Sequence, residues 1–366
     1  LSDIDVSKPI SSTPGTTAGI FAWLSSVQID EMEISGFDYG VDLLNSQVES
    51  ADLYIRYSTH SAIHCVSDTL EGARLKITNS LFTQGTPTGL DAQRCSIGIE
   101  NWHAEYHQTG IEMDSSNIIV RYWTSQVISG SMATGNGALY HDGNLFIDSE
   151  GIESVRLYDK AITLTDLSDN PLPAMVSYYG GLLTYTAQSD GQLIVPYTST
   201  IFTVIEIEYD GVGTSEYLTL DNQPQNFELP LIPEGDWVID SGHIKLTSRP
   251  DGSSHVATGN ITVESDAIFE LVDTSLMMPA ESNLSISGWF LTEQSTVKGA
   301  NLYFSGIALD SQGLHVEEDA KFMCTDWNTF FNIDVAGEMH FEGDCTFQMY
   351  NFNNTGSILT LSLIHI

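Results

Sequence analysis

The sequence predicts an all-β fold: parallel coils stacked into a solenoid, with a small antiparallel β-sandwich set between two solenoid stretches. Three observations lead there. Apolar residues alternate with polar ones at period two, and no 3.6-residue pattern persists. A short unit also recurs across 34–147: with Ile34, Ile55, Ile77, Ile99, Val120 and Ile147 taken as equivalent, the steps are 21, 22, 22, 21 and 27 residues. Short strands repeating at such a period, with no helices between them, stack as coils about 4.8 Å apart. Between 168 and 233 the period is lost, and turn-bounded strands replace it.

Residues 1–167 form the first predicted solenoid. After a loop-like start, S-S-T-P-G-T-T, the apolar patch at 20–24 is expected to cover the first coil, because an open solenoid end exposes strand edges. Each coil then carries two apolar residues one apart, a polar stretch, and a small residue followed by an apolar one, as in L-Y-I-R-Y-S-T-H-S-A-I and I-G-I-E-N-W-H-A-E-Y-H-Q-T-G-I. Stacking each Ile on the next buries about 1.5–3 kcal/mol per side chain. Extra length falls largely at one corner, where loops would wall one face.

Residues 168–233 contain I-F-T-V-I-E-I-E-Y, E-Y-L-T-L and F-E-L-P-L, with turns at Asp210-Gly211 and Asp221-Asn222, the pattern of a small sandwich. Residues 234–360 return to coils. I-T-V-E-S-D-A-I-F, L-H-V-E-E-D-A-K-F and M-H-F-E-G-D-C-T-F share one form, and Val263, Val316 and Phe341 are taken as equivalent. Residues 361–366, L-S-L-I-H-I, read like a translated sequencing-library adapter. A leader and a cell-envelope attachment segment are expected outside the residues given.

The coils resemble those of right-handed parallel β-helix proteins of the pectate-lyase-like kind. The middle stretch is similar to carboxypeptidase-regulatory-like or transthyretin-like modules, through Pro171, Pro173, Val176, Asp190, Gly191 and Pro196. These resemblances imply a right-handed β-helix and a spacer or adhesive module. They transfer no catalytic residue: the repeat lacks the basic cluster of pectate lyases, and the chain lacks the Asp-Asp pair and Gly-His-Gly of polygalacturonase-like hydrolases.

Net charge is −37, from 49 acidic and only 12 basic residues. Such a surface repels nucleic acid and anionic membranes, which makes both poor partners, and no nucleic-acid partner is expected. The four cysteines occupy different places in their coils, so buried free thiols are expected.

Two columns of side chains carry the candidate chemistry. The residue after each small-apolar pair is Asp42, His64, Asp91, Glu112 and Tyr140. Stacked outward, the first four form the candidate catalytic set, with His64 held protonated between carboxylates as a general acid. The second column holds Arg56, Glu100 and Arg121. With Tyr57, Trp102, Tyr122, Trp123 and Tyr140 the two arginines form the candidate substrate-binding set, since rings beside polar groups suit sugar stacking. Glu100 and Arg121 are expected to pair across coils. His60/His64 and His103/His107 are spaced by four, but on strands and corners that spacing does not recommend zinc. Glu317, Asp319, Glu342 and Asp344 are expected on adjacent corners, four carboxylates suited to Ca2+. Asn260, Asn283 and Asn353 match glycosylation acceptors.

These readings converge on a secreted or cell-surface protein with an adhesive, structural or carbohydrate-binding role, its partner a glycan. The alternative is a polysaccharide lyase, epimerase or hydrolase working at the His64 column.

Overall fold

In the computed structural model, residues 4–7, 17–68, 73–126, 128–142, 151–178, 180–293 and 295–304 are described, together with the strands that follow within 307–360. Every regular element among them is a strand. Parallel strands stack into a β-solenoid of about 13 turns, interrupted by an antiparallel region. The period-two alternation is the cause. In strand Gln47–Arg56, for example, Val48, Leu53 and Ile55 are buried, and Gln47 stays outside.

The first solenoid has three faces. The first stacks 26–29, 47–50, 74–77, 95–99, 117–120, 137–141 and 152–156. The second stacks 31–35, 52–56, 80–84, 102–105 and 124–126. The third stacks 18–23, 39–44, 61–66, 88–93, 109–114 and 133–135. Corners between the second and third faces need left-handed backbone, and Tyr57 (φ 54°) and Tyr106 (φ 57°) alternate there with Gly36 and Gly85. At Gly85 a Cβ would lie 2.8 Å from the Tyr57 ring, so only glycine lets that ring lie flat.

The register corrects part of the repeat reading. Ile34 does stack on Ile55, but Ile55 faces Thr83, whereas Ile77 faces Ser50, Ile99 and, through Ile99, Val120. The proposed set therefore runs down the second face and then jumps to the first. A longer connection between Val66 and Ala73 than between Leu44 and Gln47 is the reason. It adds about one face-to-face offset, so a 22-residue step still lands on a buried apolar residue while missing a whole coil. Val120 then pairs with His141, and Ile147 lies outside the described residues.

The cysteine reading is also corrected: Cys65 and Cys95 form a disulfide, with Cα atoms 6.3 Å apart. They do differ in column, since Cys65 stacks on Ala92. But Cys95 follows Ala92 around the corner at Arg94 (φ 55°), and across a corner the nearest inward neighbours belong to different columns. Cys324 pairs in register with Phe341, and Cys345 lies outside the described residues.

Strand Ile152–Asp166 ends the first solenoid and begins the antiparallel region. Its first half pairs parallel with 137–141, and its second half pairs antiparallel with Gln192–Thr198 and parallel with Gln225–Leu229. A second sheet runs Leu183–Thr186, Met175–Tyr178, Thr203–Tyr209, Val212–Leu218 and Trp237–Leu246. That last strand also starts the second solenoid by pairing parallel with Ile261–Val272. Antiparallel pairing thus extends beyond 168–233 on both sides, through two strands that each serve two architectures. Val176, Ile205, Val195 and Leu164 of this region share one apolar core with Val263, Phe269 and Phe290 of the second solenoid. A separate core fills the first.

In the second solenoid Val263 stacks on Ile286, while Val316 stacks on Val297 and Val335, and Phe341 on Cys324. Val263 and Phe341 therefore share one column, through Ile286, Phe304 and Cys324, and Val316 belongs to another. Coils here step by fewer residues than the shared Glu-x-Asp form suggests, so the string at Val316 falls out of phase with the other two.

Candidate functional site

The third face carries the predicted charged column. Backbone register places Asp42, His64, Asp91 and Glu112 on successive rungs. His64 Nδ1 lies 2.8 Å from an Asp42 oxygen and Nε2 lies 3.7 Å from Asp91. Tyr39 stacks on the imidazole with ring centroids 4.6 Å apart. The hydrogen bond to Asp42, aided by the charges of Asp91 and Asp42, raises the His64 pKa against the opposing effect of burial. Burial first, and Glu112 beside it, raise the Asp91 pKa. The imidazole is thus a clamp between rungs whose charged form both carboxylates favour. The next rung is Thr134, not Tyr140. Tyr140 stacks on Ile119 on the first face, half-buried against the second core. The coil after Glu112 closes at Thr134, before the next small-apolar landmark is reached, and that landmark displaces the reading to Tyr140.

The predicted sugar platforms divide in two. Trp102 is 0% and Trp123 4% exposed, their indoles stacked inside the coil at 5.0 Å. Trp102 Nε1 donates to Thr83, whose hydroxyl also meets His107 Nε2 at 2.9 Å. Trp102 is core, not a platform. Burial lowers the His107 pKa, which keeps this inner network neutral. Tyr57 is exposed at its corner, and Arg56 pairs with Glu33 at 3.2 Å while lying 5.4 Å from the Phe82 ring. The outward row Tyr54, Phe82, His103 on the second face occupies its own ring faces, Phe82 and His103 being stacked within 15°. It is a ladder with its flat sides spent.

Arg121 is the largest departure from expectation. It is 1% exposed, so it cannot touch a ligand directly. Nor does it pair simply with Glu100: the Tyr185 hydroxyl stands between them, donating to Glu100 at 2.7 Å and accepting from Arg121 at 3.2 Å. Its other donors reach Asp142 (3.3 Å), Asp159 (2.9 Å) and the Tyr122 hydroxyl (2.9 Å). Burial alone would lower its pKa, but Tyr185, Glu100, Tyr122 and Asp159 together hold it above its ordinary value. Burial likewise raises Glu100 and Tyr185. One guanidinium therefore joins the solenoid, the splice strand and the antiparallel sheet. The hairpin that brings Tyr185 approaches so closely that a Cβ on Gly98 would sit 2.3 Å from the Leu182 carbonyl oxygen.

Around that node lies an open groove of about 480 Å³, lined by Tyr122, Trp123, Thr124, Asp142, Leu157, Tyr158 and Asp159. Tyr122 and Tyr158 are 49% and 42% exposed. Trp123 Nε1 and Asp142 Oδ1 are buried without a hydrogen-bond partner. Sequence reasoning named Tyr122 and Trp123 but missed Tyr158, Asp159 and Asp142. Tyr-Asp at 158–159 sits where the period is failing, and no column links it to 122.

Glu317, Asp319, Glu342 and Asp344 lie outside the described residues. The strands before them, ending at Val316 and Phe341, are not register partners. Among the described residues no three His, Cys, Asp or Glu side chains form a metal-binding group, and no helix is long and apolar enough to cross a membrane.

No protein-family description, curated protein or solved structure matches the chain.

Proposed function

We propose that this chain is an extracellular or cell-surface β-solenoid that binds carbohydrate without cleaving it. The observation that carries the reading is the open groove at the splice, where two exposed tyrosine rings stand beside carboxylates, a threonine and an indole. Sugars are bound by that combination: flat apolar rings for the C–H faces and convergent polar groups for the hydroxyls. The buried disulfide supports an oxidising compartment. The acidic surface argues against nucleic acid. Binding to a panel of plant, algal and bacterial polysaccharides tests the reading. Retention of one glycan by the native chain, lost in Tyr122→Ala with Tyr158→Ala, is expected; equal retention by the double variant would refute it.

A second reading, cleavage of a polysaccharide, draws on the His64 column, since an imidazole with a raised pKa between two carboxylates is a competent proton donor. Release of new chain ends that disappears in His64→Ala is the result this reading requires.

A further inference from the structure

We infer that the splice groove selects a cationic amino sugar, a hexosamine with a free amine, over neutral and acidic sugars. This rests on the carbohydrate reading and adds the ligand's charge to it. Four observations lead there. First, the lining carries two carboxylates and no cationic side chain. Arg121 lies behind the wall at 1% exposure, with its guanidinium engaged by Asp142, Asp159, Tyr122 and Tyr185, and the exposed Arg156, beside the Tyr158 ring, is not part of the lining. A uronate carboxylate entering here would meet two carboxylates on the lining itself, in a chain of net charge −37.

Second, the carboxylates keep capacity for a donor. Asp142 gives Oδ2 to Arg121 and leaves Oδ1 without a partner, and Asp159 gives Oδ1 to the same guanidinium while its side chain stays 60% exposed. An acceptor left unpaired away from water is costly, and an ammonium is the strongest donor a sugar can offer it.

Third, Tyr122 and Tyr158 expose their rings on the same groove. Their faces already attract cations within this chain: Arg121 lies 4.6 Å from the Tyr122 centroid, and Arg156 lies 5.6 Å from that of Tyr158. A ligand ammonium gains from such rings in the same way, whereas a carboxylate is repelled by them.

Fourth, Trp123 lines the groove, and its indole N–H, buried on a side chain 4% exposed, has no protein acceptor. A neutral hydroxyl beside the amine can supply one. The groove thus pairs an acceptor for an ammonium with a donor for a hydroxyl, the complement of adjacent amino and hydroxyl groups on a pyranose. Arg121 is the positioning residue. By gripping both carboxylates and the Tyr122 hydroxyl from behind, it fixes the wall and, as one guanidinium against two carboxylates, leaves an excess of negative charge.

The test is titration of the whole chain with four hexasaccharides: glucosamine, N-acetylglucosamine, glucose and galacturonate. The glucosamine hexamer is expected to bind about tenfold more tightly than its acetylated form, the value of one charge-assisted hydrogen bond. That preference is expected to fall with added salt and to vanish above the pH at which the amine loses its proton. Asp159→Asn is expected to reduce the preference about threefold or more, and Asp142→Asn to reduce it further. Because Asp142 also anchors Arg121, the exposed Asp159 carries the test if Asp142→Asn melts early. Equal binding of the glucosamine and glucose hexamers, with Tyr122→Ala abolishing both, would overturn the charge selection and leave carbohydrate binding standing. Galacturonate binding as tightly as glucosamine would also overturn it. Binding of none of the four, nor of any polysaccharide on the panel, would overturn both.

Discussion

Two cations in this molecule sit between carboxylates, and they differ in almost everything else. His64 lies on the open third face, bridging Asp42 and Asp91 on neighbouring rungs of one sheet. Arg121 lies buried where three structural units meet, its partners drawn from residues 122, 142, 159 and 185. The first arrangement is made by a repeat, since stacking coils puts equivalent residues in a column whatever else the chain does. The second is made by a splice, since strand Ile152–Asp166 must leave the solenoid and the Tyr185 hairpin must return to it. The difference teaches where tunable and fixed charge belong. A partly solvated imidazole can lose its proton and release its neighbours; a buried guanidinium cannot, so it holds geometry at every ordinary pH.

The largest effect that would sharpen this contrast is expected at the buried node. Arg121→Ala leaves the half-buried Asp142 and Glu100 without their cation, and the chain should lose about 3 kcal/mol. Chemical denaturation measures it, and a loss under about 1 kcal/mol would mean that the node is not a structural lock.

Next comes the corner beneath the open column. Cys65 is the residue after His64, and Cys65→Ser removes the disulfide that ties its coil to the one carrying Cys95. A loss of about 2–4 kcal/mol is expected. Native chain melted with and without reductant should show the same direction, whereas an unchanged midpoint would count against the bond.

His64→Ala should cost less, about 1 kcal/mol, and only in part of the pH range. The folded-state pKa of His64 is raised, chiefly by its hydrogen bond to Asp42. Its stabilisation is therefore fully present below the unfolded value of 6.5 and is lost as pH rises through the folded value. The raised Asp91 works in the same sense at lower pH: protonated below 3.8 it favours the fold, and that contribution is gone once pH has risen through its folded value. Native chain and His64→Ala should differ in midpoint at pH 6 and converge near pH 9. A constant difference across that range would show packing against Tyr39, not charge, to be what His64 contributes.

Smallest is Arg56→Ala on the second face. Its pair with Glu33 is exposed, so stability should change by about 0.5 kcal/mol or less. A larger loss would point to its contact with the Phe82 ring.

Much of the charged column was legible in the sequence because its landmark, a small residue before a buried apolar one, marks one face in four successive coils. Gly40-Val41, Ala62-Ile63, Gly89-Leu90 and Gly110-Ile111 all obey it, and the small residue is needed where a Cβ on Gly40 would strike Ile55 at 2.3 Å. The apolar landmark had no such mark, so Ile55 and Ile77 passed as partners while lying on different faces. Trp102 and Trp123 failed as platforms for a related reason. Next to polar residues in sequence, they nonetheless alternate inward, and Trp102 hydrogen-bonds Thr83 there.

By itself the sequence determined that this protein is all-β, that its strands bury every second residue in stacked coils, that the period fails in the middle, and that Asp42, His64, Asp91 and Glu112 form one column. Those follow from period, alternation and turn chemistry, which are local or strictly repetitive. Tertiary structure alone decided the Cys65–Cys95 bond, the burial of Arg121 and the groove between Tyr122 and Tyr158. Each joins residues from different columns or from opposite sides of the splice, and their meeting is set by how the chain turns at corners and leaves its own repeat.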